Sequence, residues 1–170
     1  MWFRSLRQAA PALKVLMVCT GNICRSPTAE GVLRAKLKAA GLGQQVLVDS
    51  AGTLGLHAGE PPDARAVRHA AARGYDIASL RARRLKPEDL AEFDWVLAMD
   101  DTHLARLKQL QQPGMKAQVS LLLDHAPRFA AVREVADPYY APPAAFEQVL
   151  DQVEDACDGL VAEARQWLRL

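Results

Sequence analysis

The chain has 170 residues, 50% of them hydrophobic and 24% charged, with a formal net charge of +1. That length fits one domain around one core. The near-neutral balance gives neither a basic field for nucleic acid nor an acidic excess, so any attraction for an anion must be local. No apolar run approaches the ~20 residues of a membrane span. Three cysteines, Cys19, Cys24 and Cys157, make an odd count that argues against a disulfide framework and for a reducing, cytoplasmic setting.

Residues 1–12 carry two arginines but no extended apolar stretch, so they do not read as a signal peptide. A flexible overhang is expected there, with Trp2, Phe3 and Leu6 available to a surface or a partner, ahead of a single domain over residues 13–170. The apolar run Lys14–Val18 predicts a buried strand, and Cys19–Arg25 a tight polar segment. Ser26 and Pro27 read as a helix start, Ser at the N-cap and Pro first in the helix. Glu30 falls where an acid is favoured, and Val32, Leu33 and Leu37 line one face until Gly41. A second strand is expected at Val46–Val48, then a loop over Asp49–Pro62, a helix from Asp63 to Gly74, and a short helix opening at Pro87–Asp89. Trp95–Met99 reads as a third strand. Asp100 and Asp101 begin a helix ending near Gln111, and Val119–Leu122 is a fourth strand. The loop Asp124–Pro143 leads into an amphipathic helix from Ala144 to Arg169. Strands alternating with helices predict an α/β fold, a parallel sheet with helices on both faces. Ligands in such folds sit at the carboxyl ends of strands, where Cys19 falls.

The segment Val18-Cys19-Thr20-Gly21-Asn22-Ile23-Cys24-Arg25-Ser26-Pro27 is a strand, a cysteine, five residues, an arginine and a helix start. A tight loop opening into a helix turns successive backbone N–H groups inward as an anion nest. Gly21 can take positive φ without steric cost, and Asn22 tolerates it better than most residues. A phosphate in the nest would lie over the Cys19 sulfur, while Arg25 offers a planar fork to two phosphate oxygens. The same field favours a thiolate, since helix N-termini and cations bring a cysteine from ~8.5 to ~3.5–7.5. Cys19 is thus expected to attack phosphorus in line and form a phosphocysteine.

Such chemistry needs a proton donor for the leaving oxygen. The best candidate is Asp137 in Asp137-Pro138-Tyr139-Tyr140, in the longest loop, where desolvation and the phosphate charge would favour its protonated form. There is no Walker motif. No His, Cys or Asp cluster has metal-ligand spacing, so neither metal nor cofactor is expected. His57, His69, His103 and His125 are dispersed and expected at the surface.

These residues resemble the low-molecular-weight protein tyrosine phosphatase family over about residues 14–168. The likeness rests on VCTGNICRSPTAE at 18–30, DSAGT at 49–53, GEPPDARA at 59–66, FDWVLAMD at 93–100 and DPYY at 137–140. It implies a four-stranded parallel sheet flanked by helices, Cys19 as nucleophile, Arg25 as phosphate binder and Asp137 as general acid, then base. By position, Thr20, Gly21, Asn22, Ile23, Cys24 and Ser26 belong to the phosphate loop. Asn22 and Ser50 look like the pair that holds its shape, and Ser26 like the hydroxyl that steadies the leaving thiolate. Cys24 matches the partner of a reversible disulfide with Cys19, and Tyr139 and Tyr140 the aromatic walls of the cleft. The implied partner is a tyrosine-phosphorylated protein, a tyrosine kinase included. Two positions depart from the family. Leu80 stands where a histidine often joins the Ser/Asn network, so that network must be completed otherwise. Leu56 stands where an aromatic often faces the tyrosines. Three alternatives remain: an arsenate reductase, although no cysteine lies between Cys24 and Cys157; a phosphoarginine phosphatase, whose relatives have Thr in place of Ile23; and a domain that binds phosphotyrosine without turnover.

Overall fold

The computed structural model describes residues 9–170; Trp2, Phe3 and Leu6 lie outside the described residues. Strand β1 (Leu13–Cys19) is buried almost throughout, which explains its unbroken apolar run: a central parallel strand has no solvent face. It pairs in parallel with β2 (Val46–Gly52) on one side and β3 (Trp95–Ala98) on the other, and β4 (Gln118–Leu121) closes the order β2-β1-β3-β4. Leu13, Val15, Met17 and Cys19 point into a core shared with α1 (Arg25–Ala39) and α5 (Ala144–Trp167). Leu16 and Val18 point the other way, into a core with Leu107 of α4 (Asp101–Leu110) and Leu90 of α3 (Asp89–Glu92). The helix α2 (Ala64–Ala72) begins at Asp63, whose side chain accepts from Arg65 N. The expected α/β architecture is present, with Cys19 at the carboxyl end of β1.

Several boundaries differ from the sequence reading. Strand β2 does not stop at Val48: Asp49, Ser50, Ala51 and Gly52 pair with Leu16 to Cys19. Small and polar residues that look like a turn are held in the ladder by the long β1. Helix α1 starts at Arg25, with Cys24 in the cap position and no side-chain cap. Ser26 lies inside the first turn, its hydroxyl taken by the site. Glu30 therefore falls in the second turn, away from the free N–H groups. At the far edge the chain leaves β4 at Leu121 and winds through a 3-10 turn over Leu122–His125. Helix α5 ends at Trp167, two residues before Arg169.

Candidate active site

The loop from Cys19 to Arg25 is shaped from behind by buried polar side chains. Asn22 is the residue that takes positive φ, at 56°, whereas Gly21 does not. A Cβ on Gly21 would come within 3.0 Å of His57 Cδ2, so close approach accounts for that glycine rather than backbone sign. Asn22 Nδ2 donates to Ser26 Oγ at 2.7 Å and to Ser50 Oγ at 2.9 Å, and Asn22 Oδ1 accepts from Arg83 N at 3.0 Å. Because Ser26 Oγ accepts from Asn22, its own proton is free to point at Cys19 Sγ, 3.0 Å away. Ser50 likewise passes its proton on, to Glu30 Oε1 at 2.7 Å. Glu30 is 2% exposed, and its other oxygen meets Arg34 at 2.7 Å. Burial raises its pKa above the usual carboxylate range, against the Ser50 hydrogen bond and the Arg34 charge.

Glu30 therefore completes the network, the part left open by Leu80 where the resemblance implied a histidine; Leu80 is partly buried against the small core that holds Ile77. The sequence reading assigned Glu30 to the helix dipole and missed this role. Gly52 was missed as well. A Cβ there would sit 2.6 Å from Thr20 O and 2.9 Å from Leu54 O, so only glycine lets the end of β2 press against the loop.

Arg25 is 3% exposed. Its NH1 donates to Asp100 Oδ2 and to Val135 O, each at 2.9 Å, and NH2 lies 3.8 Å from Asp137 Oδ2. NH1 is thus committed to the protein, leaving Nε and NH2 for an anion. Burial opposes ionisation of Asp100, but the hydrogen bonds from Arg25 and His103 N, with the Arg25 charge, outweigh it and hold the carboxyl below the usual range.

His103 contradicts the surface expectation: it is 0% exposed. Its Nδ1 accepts from Asp100 N at 3.2 Å, so the neutral ring carries its proton on Nε2 and donates to Thr20 Oγ1, 2.8 Å away. Burial, aided by the Arg25 charge and against the pull of Asp100, brings its pKa down to about 4. Thr20, His103, Asp100 and Arg25 form one connected brace from one end of the loop to the other.

Above the loop lies a cleft of about 360 Å³ lined by Cys19, Thr20, Gly21, Ile23, Cys24, Arg25, Asp137, Leu56, Tyr139 and Tyr140, together with Leu54 and His57. Asn22 and Ser26 are not in its wall; their side chains are spent behind the loop. Asp137 is 54% exposed at the rim, and its Oδ1 accepts from Tyr139 N at 3.1 Å. Leu56 is 78% and Tyr140 95% exposed. Tyr139 is better held: its ring meets Tyr140 edge-on at 4.8 Å and lies under the Arg65 guanidinium at 5.3 Å, and Arg65 NH1 donates to Tyr139 O. Asp63 fixes Arg65 with two hydrogen bonds, and Asp63 N donates to Ile23 O. The Cys19–Arg25 loop, α2 and the Asp137 loop are thereby tied together. The signal for Arg65 in the sequence was Asp63-Ala64-Arg65 itself, read there as a helix start.

A cysteine at the end of a central parallel strand and a buried arginine 3.8 Å from an aspartate thus line one cleft of an α/β fold. The sequence profile of the low molecular weight phosphotyrosine protein phosphatase family matches residues 14–168. A low molecular weight protein-tyrosine-phosphatase of Streptomyces coelicolor is 43% identical over 155 residues, covering 90% of this chain and 94% of that protein. A protein tyrosine phosphatase of Entamoeba histolytica superposes with a TM-score of 0.86 at 34% identity, covering 91% and 97% of the two chains. A Drosophila arginine phosphatase has a TM-score of 0.83 at 28% identity, covering 90% and 98%. The chain belongs to the low molecular weight phosphotyrosine protein phosphatase family.

Proposed function

We propose that this chain hydrolyses phosphotyrosine in proteins through a phosphocysteine on Cys19, in a single catalytic domain over residues 13–170. The observation that carries the reading is the Cys19 sulfur at the cleft floor with the Ser26 hydroxyl at 3.0 Å and Arg25 and Asp137 lining the same cleft. The phosphoryl group enters the nest, with two oxygens on Nε and NH2 of Arg25. Cys19 attacks phosphorus while Asp137 gives its proton to the departing phenol oxygen. Water then attacks the phosphocysteine, Asp137 takes the water proton, and the thiolate leaves toward the Ser26 hydroxyl. Thr20, Gly21, Ile23 and Cys24 supply the loop around the phosphate. Tyr139 and Tyr140 hold the substrate ring, where ring packing contributes ~0.5–1.5 kcal/mol beyond area burial. Leu56 offers an aliphatic opposite wall.

No helix among the described residues is long and apolar enough to cross a membrane. With three free thiols, we assign the enzyme to the reducing cytoplasm and tyrosine-phosphorylated proteins, kinases among them, as its partners. Cys24 serves in this reading as the redox partner of Cys19. Burial, with the Asp63 and Cys19 charges, pushes its thiol up to about 12, so it rests neutral. When peroxide oxidises the Cys19 thiolate to a sulfenic acid, Cys24 condenses with it, releasing water and forming a disulfide that thiols reverse. Against an arsenate reductase, no cysteine lies between Cys24 and Cys157, and Cys157 is buried in the core with its sulfur directed at Ala29 O.

The test is Cys19→Ser assayed on phosphotyrosine, phosphoserine and phosphoarginine peptides. Phosphotyrosine turnover should be lost while vanadate binding persists. Residual turnover above roughly 1% of wild type, below the loss expected for a removed nucleophile, would overturn the assignment. Phosphoarginine as the preferred wild-type substrate would overturn the specificity.

A further inference from the structure

On the edge strand β4, Gln118 pairs with Trp95 and Ser120 with Leu97, and both partners belong to the core on the α5 side. Gln118 is exposed and Ser120 half-buried, so this end of the sheet opens to solvent and a polar side chain there can meet a ligand. Ser120 Oγ lies 2.8 Å from His125 Nε2. His125 Nδ1 lies 2.8 Å from Glu163 Oε2 and 3.0 Å from Oε1. An ionised carboxylate can only accept, so the neutral imidazole carries its proton on Nδ1 and turns the Nε2 lone pair to Ser120. The hydroxyl therefore donates into a base that a third residue orients, which is the arrangement that activates a serine nucleophile.

The fold brings these residues together by an unusual approach. A Cβ on Gly159 would overlap His125 O, so α5 can press on the 3-10 turn only because that position is glycine. Glu163 follows one helical turn later on the same face. The three residues open onto a cleft of about 540 Å³ walled by Trp95, Leu97 and Trp167, with the two indoles edge-on at 5.8 Å. Gln118 and Gln166 line the same cleft, and their carboxamides make no hydrogen bond among the described residues. Glu163 beside the opening disfavours an anionic ligand, and the indole walls favour an apolar one.

We propose that Ser120, His125 and Glu163 form a second, serine-nucleophile site that hydrolyses uncharged carboxylic esters with an apolar acyl or aryl group. Ser120 Oγ adds to the ester carbonyl as His125 Nε2 takes its proton, and the carbonyl electrons move to oxygen. Collapse breaks the carbon–alkoxy bond, and His125 returns the proton to the alcohol. Water repeats the sequence on the acyl-serine, giving the acid and restoring Ser120. Nothing in this route involves Cys19.

The experiment uses the full chain with Cys19→Ala, which removes both phosphatase turnover and thiol acyl transfer. An aryl fluorophosphonate should label Ser120, located by peptide mass spectrometry, and p-nitrophenyl butyrate should be hydrolysed above the buffer rate. Ser120→Ala should abolish both, and His125→Gln should slow both at least ~100-fold, the scale of losing a general base. Ser120→Ala in the otherwise unchanged chain should keep full aryl-phosphate turnover, showing that the fold survives. The proposal is overturned if Ser120 is unlabelled at saturating probe, if ester hydrolysis is at the buffer rate, or if hydrolysis is unaltered by Ser120→Ala.

Discussion

The floor and the rim of the cleft are built on opposite principles. Behind the loop, Asn22, Ser26, Ser50 and Glu30 are all at most 4% exposed and joined by hydrogen bonds, and His103, 0% exposed, braces the loop separately through Thr20. At the mouth, Leu56, Tyr140 and Asp137 stand largely in solvent. A buried polar network is rigid because each unpaired group in it would cost ~1–3 kcal/mol. Exposed side chains carry no such penalty for moving. In the proposed mechanism the difference is a division of labour: the floor would fix the position of the phosphate and sulfur, and the rim would select what is attached to the phosphate.

The largest effect should come from the floor. Arg25→Lys keeps the charge but loses the fork and the brace to Asp100, and should lower kcat/KM at least ~100-fold, the scale of losing a preorganised donor. Steady-state kinetics on an aryl phosphate checks this; a near-normal rate would mean that another group holds the phosphate. Next is Asp137, which belongs to the rim by exposure and, in the proposed mechanism, to the chemistry. Asp137→Asn should slow esters with poor leaving groups most and activated aryl phosphates least, because only the former need the proton. A leaving-group series in which every member slows equally would remove Asp137 from that role.

A smaller effect concerns stability. His103 is brought down to about 4 from an ordinary value of 6.5, so the unfolded chain binds its proton first as pH falls. Stability from the neutral ring is complete above about pH 6.5 and drains as pH drops toward 4. Glu30, raised by burial, acts in the opposite sense, but it does so equally in a His103→Asn variant. The stability advantage of wild type over His103→Asn should therefore shrink between pH 7.5 and pH 4.5, read from urea midpoints. A constant difference would contradict the assignment of a neutral buried ring.

Much of this was legible in the residues. The apolar run ending at Cys19, the arginine six residues on and the following Ser-Pro located the loop, because strand burial and helix entry leave local marks. What escaped were contacts between segments far apart in the chain. Glu30 is satisfied equally well, on paper, by a helix dipole; its bond to Ser50 depends on β2 running on to Gly52, which small polar residues disguised. His103 looked like any helix-surface histidine, because its burial depends on Asp100 capping α4 directly beneath Thr20. Ser26 looked like a cap, and the site takes its hydroxyl instead.

The division between floor and rim is tested most directly by one kinetic comparison. For wild type, Glu30→Gln and Tyr139→Ala, kcat/KM is measured on a matched pair of aryl and alkyl phosphate monoesters. Glu30→Gln disturbs the support of Asn22 and Ser50 without touching the cleft, and should lower both values by the same factor, leaving their ratio at the wild-type value. Tyr139→Ala should lower the aryl value selectively, through KM and by up to roughly tenfold if ~1.4 kcal/mol of ring contact is lost. A changed ratio in Glu30→Gln, or an unchanged one in Tyr139→Ala, would contradict the account.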